Sequence, residues 1–233
     1  PTEEYRFVLL SLDRKTGKEN WRRVAATQVP HEGHHRDHGY ASGSPVTDGE
    51  HIIVSFGSRG LYCYDMKGKL QWKKDFGDMR TRNSFGEGTS PALHGDTVLL
   101  LWDHEGDSAL YALDKKTGKI LWSTGLEAAS YSSIVPHVRD GRQELVMFAY
   151  KSVVAVDPKT GSVLWSYPWE TKHDTNVADP ILIGDKVFIS SGYDRGCALL
   201  QINGDKVAKL WENKNMRNHF NPCVLIDRHV FGF

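Results

Sequence analysis

A short motif that recurs along the chain constrains the fold more than any other feature of the sequence. Its most complete copy spans residues 110–122 and reads LYALDKKTGKILW, so that apolar residues flank a turn with an aspartate, a glycine and a closing tryptophan. The four clear copies place these residues at Asp13, Gly17 and Trp21; at Asp65, Gly68 and Trp72; at Asp114, Gly118 and Trp122; and at Asp157, Gly161 and Trp165. A fifth, eroded copy ends at Trp211. Apolar alternation around a turn predicts a β-hairpin in each copy.

The residue types of the motif predict how each hairpin is built. An aspartate at the start of a turn accepts hydrogen bonds from nearby backbone N–H groups, and glycine adopts the left-handed conformation that the turn needs. We therefore expect Asp13, Asp114 and Asp157 to stabilise their turns. A tryptophan at a fixed place in the second strand offers a large flat surface and an indole N–H that needs a partner. We expect all five repeat tryptophans to be largely buried where successive units pack together.

Prolines mark a second regularity, which sets the length of the repeating unit. They stand at Pro45, Pro91, Pro136, Pro180 and Pro222, in steps of 46, 45, 44 and 42 residues. This interval is typical of a β-propeller blade, which is a four-stranded antiparallel sheet. The sequence therefore predicts an all-β protein that forms an arc of a β-propeller with seven or eight blades. The alternative is a closed ring of five blades, in which the two end pieces pair.

The two regularities together predict the domain organisation. Strands one and two of a blade follow each proline, and the repeat hairpin supplies strands three and four. We predict one partial propeller domain over residues 1–233, with an outer half-blade at 5–29, whole blades at 44–78, 90–125, 135–169 and 179–213, and an inner half-blade at 221–233. Both ends fall within a repeat, and the sequence begins with neither an initiator methionine nor a signal peptide. We interpret the chain as a piece of a longer protein.

Charge and composition argue against several classes of function. The chain has 29 basic and 29 acidic residues, so no net field favours nucleic acid or an anionic membrane. Its longest apolar run, near residues 98–102, is far shorter than the roughly 20 residues of a membrane span. Cys63, Cys197 and Cys223 follow no metal or redox spacing, and we interpret Cys63 and Cys223 as small buried core residues. We expect a monomer that neither binds nucleic acid nor spans a membrane.

One face of the predicted propeller gathers polar side chains. The segments that link strand four to the next strand one emerge on the same face as those that link strand two to strand three. Repeated polar loops favour a binding surface. The residues expected on this ligand-binding face are His34, His35, His38, Asn83, Glu87, His104, Glu105, His173, Asn176 and His219.

Two clusters on these loops are candidate metal sites. Imidazoles several residues apart can converge on zinc or another divalent ion. The histidines concerned are His31, His34, His35 and His38. We favour the alternative that they bond neighbouring backbone, because the loop has no cysteine partner and no strict ligand spacing. Asp103, Glu105 and Asp107 alternate like calcium ligands, but the glycine and full ligand series of a calcium loop are missing, which favours a solvated loop.

The pattern A-x-D-x-x-T-G-x-x-x-W, seen at residues 112–122 and 155–165, resembles the tryptophan-docking motif of the quinoprotein alcohol dehydrogenase-like propellers. Loops such as residues 30–35 and 56–62 look like the bacterial pyrroloquinoline-quinone (PQQ)-like repeat proteins. The resemblance covers nearly the whole chain and extends to non-catalytic members, such as the lipoprotein propeller of outer-membrane β-barrel assembly. It implies a propeller with docked tryptophans and an extracytoplasmic location, in the periplasm or cell envelope.

The resemblance also implies which groups a catalytic member of the family would need around its quinone. In the dehydrogenases the quinone lies between a tryptophan and a disulfide of two adjacent cysteines, beside a calcium or similar ion and a catalytic aspartate. This sequence has no adjacent cysteine pair, and its repeat tryptophans match the docking position, which is structural.

Two functions of different classes remain. We favour a non-catalytic binding or scaffold module, without cofactor, that holds a protein, peptide or glycan partner on its polar face. No catalytic residue is assigned, because no nucleophile motif, phosphate-binding loop or paired-carboxylate signature stands out. The alternative is a PQQ- or metal-dependent oxidoreductase. A quinone absorbance band after reconstitution, or a bound metal in the purified protein, separates the two.

Overall fold

The computed structural model describes residues 1–126, 131–172 and 175–232, and nearly all regular structure in these ranges is β-strand. The strands are β1 (Tyr5–Leu12), β2 (Glu19–Gln28), β3 (Val46–Thr47), β4 (His51–Ser55), β5 (Leu61–Asp65), β6 (Leu70–Lys74), β7 (Ala92–His94), β8 (Thr97–Trp102), β9 (Ala109–Asp114), β10 (Ile120–Gly125), β11 (Val135–Arg139), β12 (Arg142–Phe148), β13 (Ser152–Val156), β14 (Val163–Pro168), β15 (Ile181–Ile183), β16 (Lys186–Ser191), β17 (Gly196–Asn203), β18 (Lys206–Asn213), β19 (Val224–Ile226) and β20 (His229–Phe231). Two short 3₁₀ turns lie at Gly57–Arg59 and Arg82–Ser84. No helix in the described ranges is long and apolar enough to span a membrane.

The strands form antiparallel sheets in chain order, as the repeat predicts. Four sheets have four strands each, namely β3 to β6, β7 to β10, β11 to β14 and β15 to β18. We call them blades one to four. Strands β1 and β2 form a two-stranded sheet, and so do β19 and β20. The prediction of an all-β propeller fold with four-stranded antiparallel blades is confirmed, while the single-domain division stays a prediction.

The chain divides into two compact units. Unit 1 comprises Pro1–Gly106 and Tyr111–Leu121, and unit 2 comprises Asp107–Leu110 and Trp122–Phe233. Each unit has its own apolar core between sheets. In unit 1 the core between blades one and two includes Ile53, Cys63, Leu100 and Leu113. In unit 2 the core between blades three and four includes Val146, Phe148, Ala155, Ile189 and Leu200. All three cysteines are buried and free, which agrees with the interpretation of Cys63 and Cys223 as core residues.

The repeat aspartates hold the hairpin turns. Asp13 Oδ1 accepts hydrogen bonds from the backbone N–H and the hydroxyl of Thr16, at 2.7 Å each. Asp114 Oδ1 accepts the same two bonds from Thr117, at 2.8 and 2.6 Å. Asp157 Oδ1 accepts from the backbone N–H groups of the two residues at positions 159 and 160. Hydrogen bonds from the threonine side chain and backbone lower the pKa of Asp13 and of Asp114. The aspartates therefore have the structural role that the turn chemistry predicts.

Three repeat tryptophans pack onto the turn of the next hairpin. In unit 1, Trp72 donates its indole N–H to Lys115 O at 2.7 Å, and its ring lies so close to Gly118 that a Cβ there would stand 2.7 Å from it. Trp21 makes the equivalent contact with Met66 O at 3.1 Å. In unit 2, Trp122 donates to Pro158 O at 3.2 Å. Glycine is required at these turns for two reasons, its positive φ and the close approach of the indole.

The joint between blades three and four is built differently. Trp165 is buried, but its indole N–H donates to Glu144 Oε2 at 3.1 Å, and no atom of the described residues lies within 4 Å of a Cβ built on Gly204 in the eroded turn. Arg139, and not a tryptophan, contacts this turn, since its guanidinium donates to Gly204 O at 3.1 Å and to Glu144 Oε1 at 2.6 Å. Trp211 is 41% exposed, so the expectation that all five tryptophans are largely buried is wrong for this residue. Its ring lies 6.1 Å from that of Phe188, measured between centroids.

Candidate functional site

The polar loops of unit 1 are tied to one another. Residues 29–45 join β2 to β3, and residues 75–91 join β6 to β7. His35 N donates to Phe85 O at 3.0 Å, and Ser44 N donates to Ser90 Oγ at 2.9 Å. We call these two segments, together with residues 57–60, the loop surface of unit 1. Because the segments bond each other, the side chains that they present are held in fixed positions.

A small pocket lies within the loop surface of unit 1. It encloses about 30 Å³, which is room for one water-sized body. Polar groups and aromatic rings share its lining, which includes His31, Glu32, Tyr40, Phe56, Arg59 and Glu87. The pocket is therefore too small for an organic ligand and suited to a single water or ion.

Glu87 is the most constrained acid of this pocket. Its Oε2 accepts a 2.6 Å hydrogen bond from Ser58 N, and its Oε1 accepts from Ser58 Oγ. A Cβ at Gly57 would collide with Glu87 Oε2, so the glycine makes room for the carboxylate. Burial raises the pKa of Glu87, and the bonds from Ser58 oppose that rise. The carboxylate is held by the 3₁₀ turn beneath it.

His31 and Glu32 complete the pocket from the first loop. Since a carbonyl can only accept, His31 Nε2 carries the proton and donates to Met79 O at 2.5 Å, which leaves the lone pair on Nδ1. Arg59 Nη2 lies 3.1 Å from that Nδ1. Glu32 Oε1 accepts from the backbone N–H and the hydroxyl of Thr81, at 2.9 and 2.6 Å. One nitrogen of His31 and one oxygen each of Glu32 and Glu87 lie within 4.8 Å of one another.

The other predicted residues of unit 1 surround this pocket without joining it. His34 and His38 each bond a backbone carbonyl through Nδ1, at 2.7 Å from His35 O and from Gly39 O respectively. His35 is exposed beside Asp37. These contacts match the backbone-bonding alternative for the loop histidines. The four-histidine metal hypothesis is not supported, because the compact donor cluster found among the described residues joins His31 to two glutamates instead.

Three further predicted residues of unit 1 lie on or beside the same loops. Asn83 is exposed and has a positive φ of 51° within the short 3₁₀ turn. His104 Nδ1 accepts from Arg80 N at 3.4 Å, and the exposed Glu105 donates its backbone N–H to Arg80 O at 2.8 Å. These contacts connect the loop between β8 and β9 to residues 75–91.

The predicted residues of unit 2 have different environments. Asn176 is fully buried, and its amide donates to the backbone oxygens of three residues at positions 149, 150 and 169 while it accepts from Ser191. Its placement on the ligand-binding face is therefore wrong, because the side chain holds the loop from inside. His219 is half-buried against Tyr193 and Phe220, and burial lowers its pKa. His173 lies outside the described residues.

Sequence reasoning missed the groups that position the pocket and a buried cluster in unit 2. Ser58 and Arg59 lie in a loop that resembles those of the PQQ-like repeat proteins, but only their contacts in the structure reveal what they hold in place. In unit 2, Glu144 is fully buried between Arg139 and His137, and His137 Nδ1 lies 3.6 Å from Glu144 Oε2. The sequence signal that could have revealed this buried cluster is the presence of charged residues at core-facing positions of two paired strands.

A family model described as outer membrane protein assembly factor BamB matches residues 6–232. The chain belongs to the BamB family. No curated protein matches it.

Solved structures place this BamB-family chain among propellers of more than one function. It is similar to BamB from Moraxella catarrhalis, at 20% identity and a TM-score of 0.62, over 90% of this chain and 59% of that one. It is also similar to quinohemoprotein alcohol dehydrogenase from Comamonas testosteroni, at 15% identity and a TM-score of 0.54, over 84% and 38% of the two chains. A europium-containing methanol dehydrogenase matches at 11% identity and a TM-score of 0.59, over 94% and 60%. The chain spans less than two thirds of each, and the likeness shows the fold alone.

A quinone of the dehydrogenase kind does not fit the described residues of this BamB-family chain. The three cysteines are free, separate and buried, so they offer no disulfide of adjacent residues. The docked tryptophans Trp21, Trp72 and Trp122 give their indole N–H groups to neighbouring turns. The pocket in the loop surface of unit 1, at about 30 Å³, is an order of magnitude below the roughly 300 Å³ of small organic-ligand sites. A larger open cavity of about 450 Å³ in unit 2, lined by residues 138–140, 184–185 and 202–204, has neither a tryptophan nor a cysteine in its lining. We derive no quinone chemistry from these residues.

Proposed function

We propose that this BamB-family chain is a non-catalytic scaffold of the bacterial cell envelope, which binds a protein partner through the loop surface of unit 1. The observation that carries the proposal is the interlocking of these loops around an exposed aromatic residue. Phe85 is 43% exposed, and the loop that presents it is fixed by the bonds between its backbone and residues 29–45. A surface that is already ordered loses little conformational entropy when a partner binds.

The composition of this surface supports a protein partner. Phe85 packs edge-on against His35, with 5.7 Å between ring centroids, and the exposed Arg36 is the next residue of the first loop. Aromatic residues and arginine are enriched at the centres of protein interfaces, and they dominate binding energy there. Family membership supports the envelope location, since the family is described as an outer membrane protein assembly factor.

Site-specific photo-crosslinking in envelope preparations tests the proposal. A crosslinking amino acid at Phe85 or Arg36 should give one discrete protein adduct. The matched control positions are Lys15 and Lys116, exposed tips of repeat turns, where the same adduct should be absent. An Arg36→Glu change should weaken the adduct formed from position 85. Equal adducts from loop and turn positions, or none from the loop, would refute the proposed surface.

A further inference from the structure

We propose that His31, Glu32 and Glu87 bind one divalent transition-metal cation, with Zn²⁺ preferred. The donor set is one imidazole nitrogen and two carboxylate oxygens, which suits Zn²⁺ better than the harder Ca²⁺ or Mg²⁺. The site lies within the loop surface of unit 1 but uses neither Phe85 nor Arg36, and its test does not require that any partner be found.

The spacing of the donor atoms is close to what an ion requires. The three atoms lie within 4.8 Å of one another and line the same water-sized pocket. Ligand bonds of about 2.0–2.2 Å at tetrahedral angles place donor atoms about 3.4 Å apart. Because the three donor atoms are at most 4.8 Å apart, an inward movement of less than about 1 Å at each side chain closes the cage.

Each donor is already oriented by a second partner. Met79 O accepts the Nε2 proton of His31, so we assign Nδ1, which keeps its lone pair in that tautomer, as the nitrogen that binds the metal. The hydroxyl and N–H of Thr81 hold Glu32, and those of Ser58 hold Glu87. Metal-binding histidines and carboxylates are typically supported in this way. The pocket thus has the outer contacts of a metal site as well as its ligands.

The charges around the pocket also favour a divalent cation. Glu32, Glu87 and the nearby Asp78 are acids, and Arg59 is the basic residue of the pocket lining. These groups leave two negative charges uncompensated when His31 is neutral. A divalent ion balances them, whereas a water does not.

Arg59 is the contact that a bound ion must displace. Its guanidinium donates to Gln28 Oε1 at 2.7 Å and to Asp78 Oδ1, in addition to the bond with His31 Nδ1. Two anchors therefore remain when the bond to His31 opens. Because a positive charge several ångströms away opposes a cation, removing it should tighten metal binding rather than weaken it.

Metals are first removed from the full chain with a chelator. The chain is then titrated with ZnCl₂ alone, and calorimetry measures the binding. We expect one Zn²⁺ per chain. Glu32→Gln and Glu87→Gln should each lower the affinity by about tenfold or more. Arg59→Gln should raise it by roughly tenfold. Circular dichroism checks the fold of each variant, and Glu32→Gln supplies the test if Glu87→Gln does not fold.

Matched controls separate this site from adventitious binding. Glu105→Gln removes an exposed carboxylate from the same unit, and His34→Asn removes a loop histidine whose Nδ1 bonds backbone. Both should leave the affinity within about twofold of the unaltered chain, well below the loss at a true ligand. The proposal is overturned by the absence of saturable one-to-one binding, by unchanged affinity in Glu32→Gln, or by an equal loss in His34→Asn.

Discussion

The substitution Gly118→Ala tests the contact between a repeat turn and the tryptophan that packs on it. Gly118 has a φ of +69°, and a Cβ there would lie 2.7 Å from the Trp72 ring. Gly17 has the same motif position, the same unit and the same φ of +69°, but nothing in the described part of the chain lies within 4 Å of its Cβ position. The pair therefore separates the strain of the turn from the displacement of the indole.

The expected losses in the free energy of unfolding follow from the strain of the turn and the displacement of the indole. An alanine in the left-handed region costs about 1–2 kcal/mol, and both variants share that loss. In Gly118→Ala the indole must also move, which adds about 1–3 kcal/mol of overpacking. A weakened bond from Trp72 to Lys115 O adds about 1 kcal/mol. We expect Gly118→Ala to lower the free energy of unfolding by about 2–4 kcal/mol more than Gly17→Ala does.

Urea denaturation followed by circular dichroism measures both values. In a chain that also carries Trp72→Leu, the cost of Gly118→Ala should fall to the cost of Gly17→Ala, because the colliding ring is gone. Equal destabilisation by Gly17→Ala and Gly118→Ala in the unaltered chain would show that the indole does not restrict this turn.

Three further outcomes are expected. Phe85→Ala should weaken the proposed partner complex by about 2 kcal/mol in a binding titration, and unchanged affinity would remove it as an interface anchor. The His51 N–H and the Lys115 ammonium hold the pKa of Asp48 well below its usual range, so this carboxylate contributes stability above about pH 3.9 that is lost as the pH falls. Asp48→Asn should therefore lower stability by about 1 kcal/mol at pH 7 and flatten the acid limb of an unfolding-against-pH curve, whereas parallel curves would contradict this. Glu144→Ala should lower the free energy of unfolding by about 3–5 kcal/mol because it removes the buried carboxylate that pairs with Arg139 and accepts the Trp165 N–H, and a denaturation midpoint close to that of the unaltered chain would count against it.

The fold was largely predictable because it repeats. Each hairpin copy carries the same turn residues, and the regular proline spacing gives the blade length independently. Local chemistry then specifies details such as the bonds from Thr16 to Asp13. Because the pattern recurs four times, a deviation in any one copy does not change the predicted fold.

The pocket was predictable only in part because its members do not repeat. Glu87 and His31 were noticed as polar loop residues, but the segments that hold them are separated by blade one. Nothing in the sequence pairs Glu87 with Ser58 or His31 with Arg59, since these contacts depend on how the loops cross. Asn176 shows the opposite error: a polar loop residue was assigned to the surface, although its amide satisfies buried backbone groups.

The joint between blades three and four shows why an eroded motif need not weaken the fold. The turn at Gly204 lacks the Asp-x-x-Thr-Gly sequence, and β17 and β18 pair up to Asn203 and Lys206, so the turn between them is too short to receive an indole as the other turns do. Without that platform, the Trp165 N–H would be buried and unpaired, which is costly. Glu144 accepts it, and Arg139 both balances the buried carboxylate and bonds Gly204 O. The loss of one turn sequence is thus matched by a buried ion pair on the preceding blade, and the two changes are understandable only together.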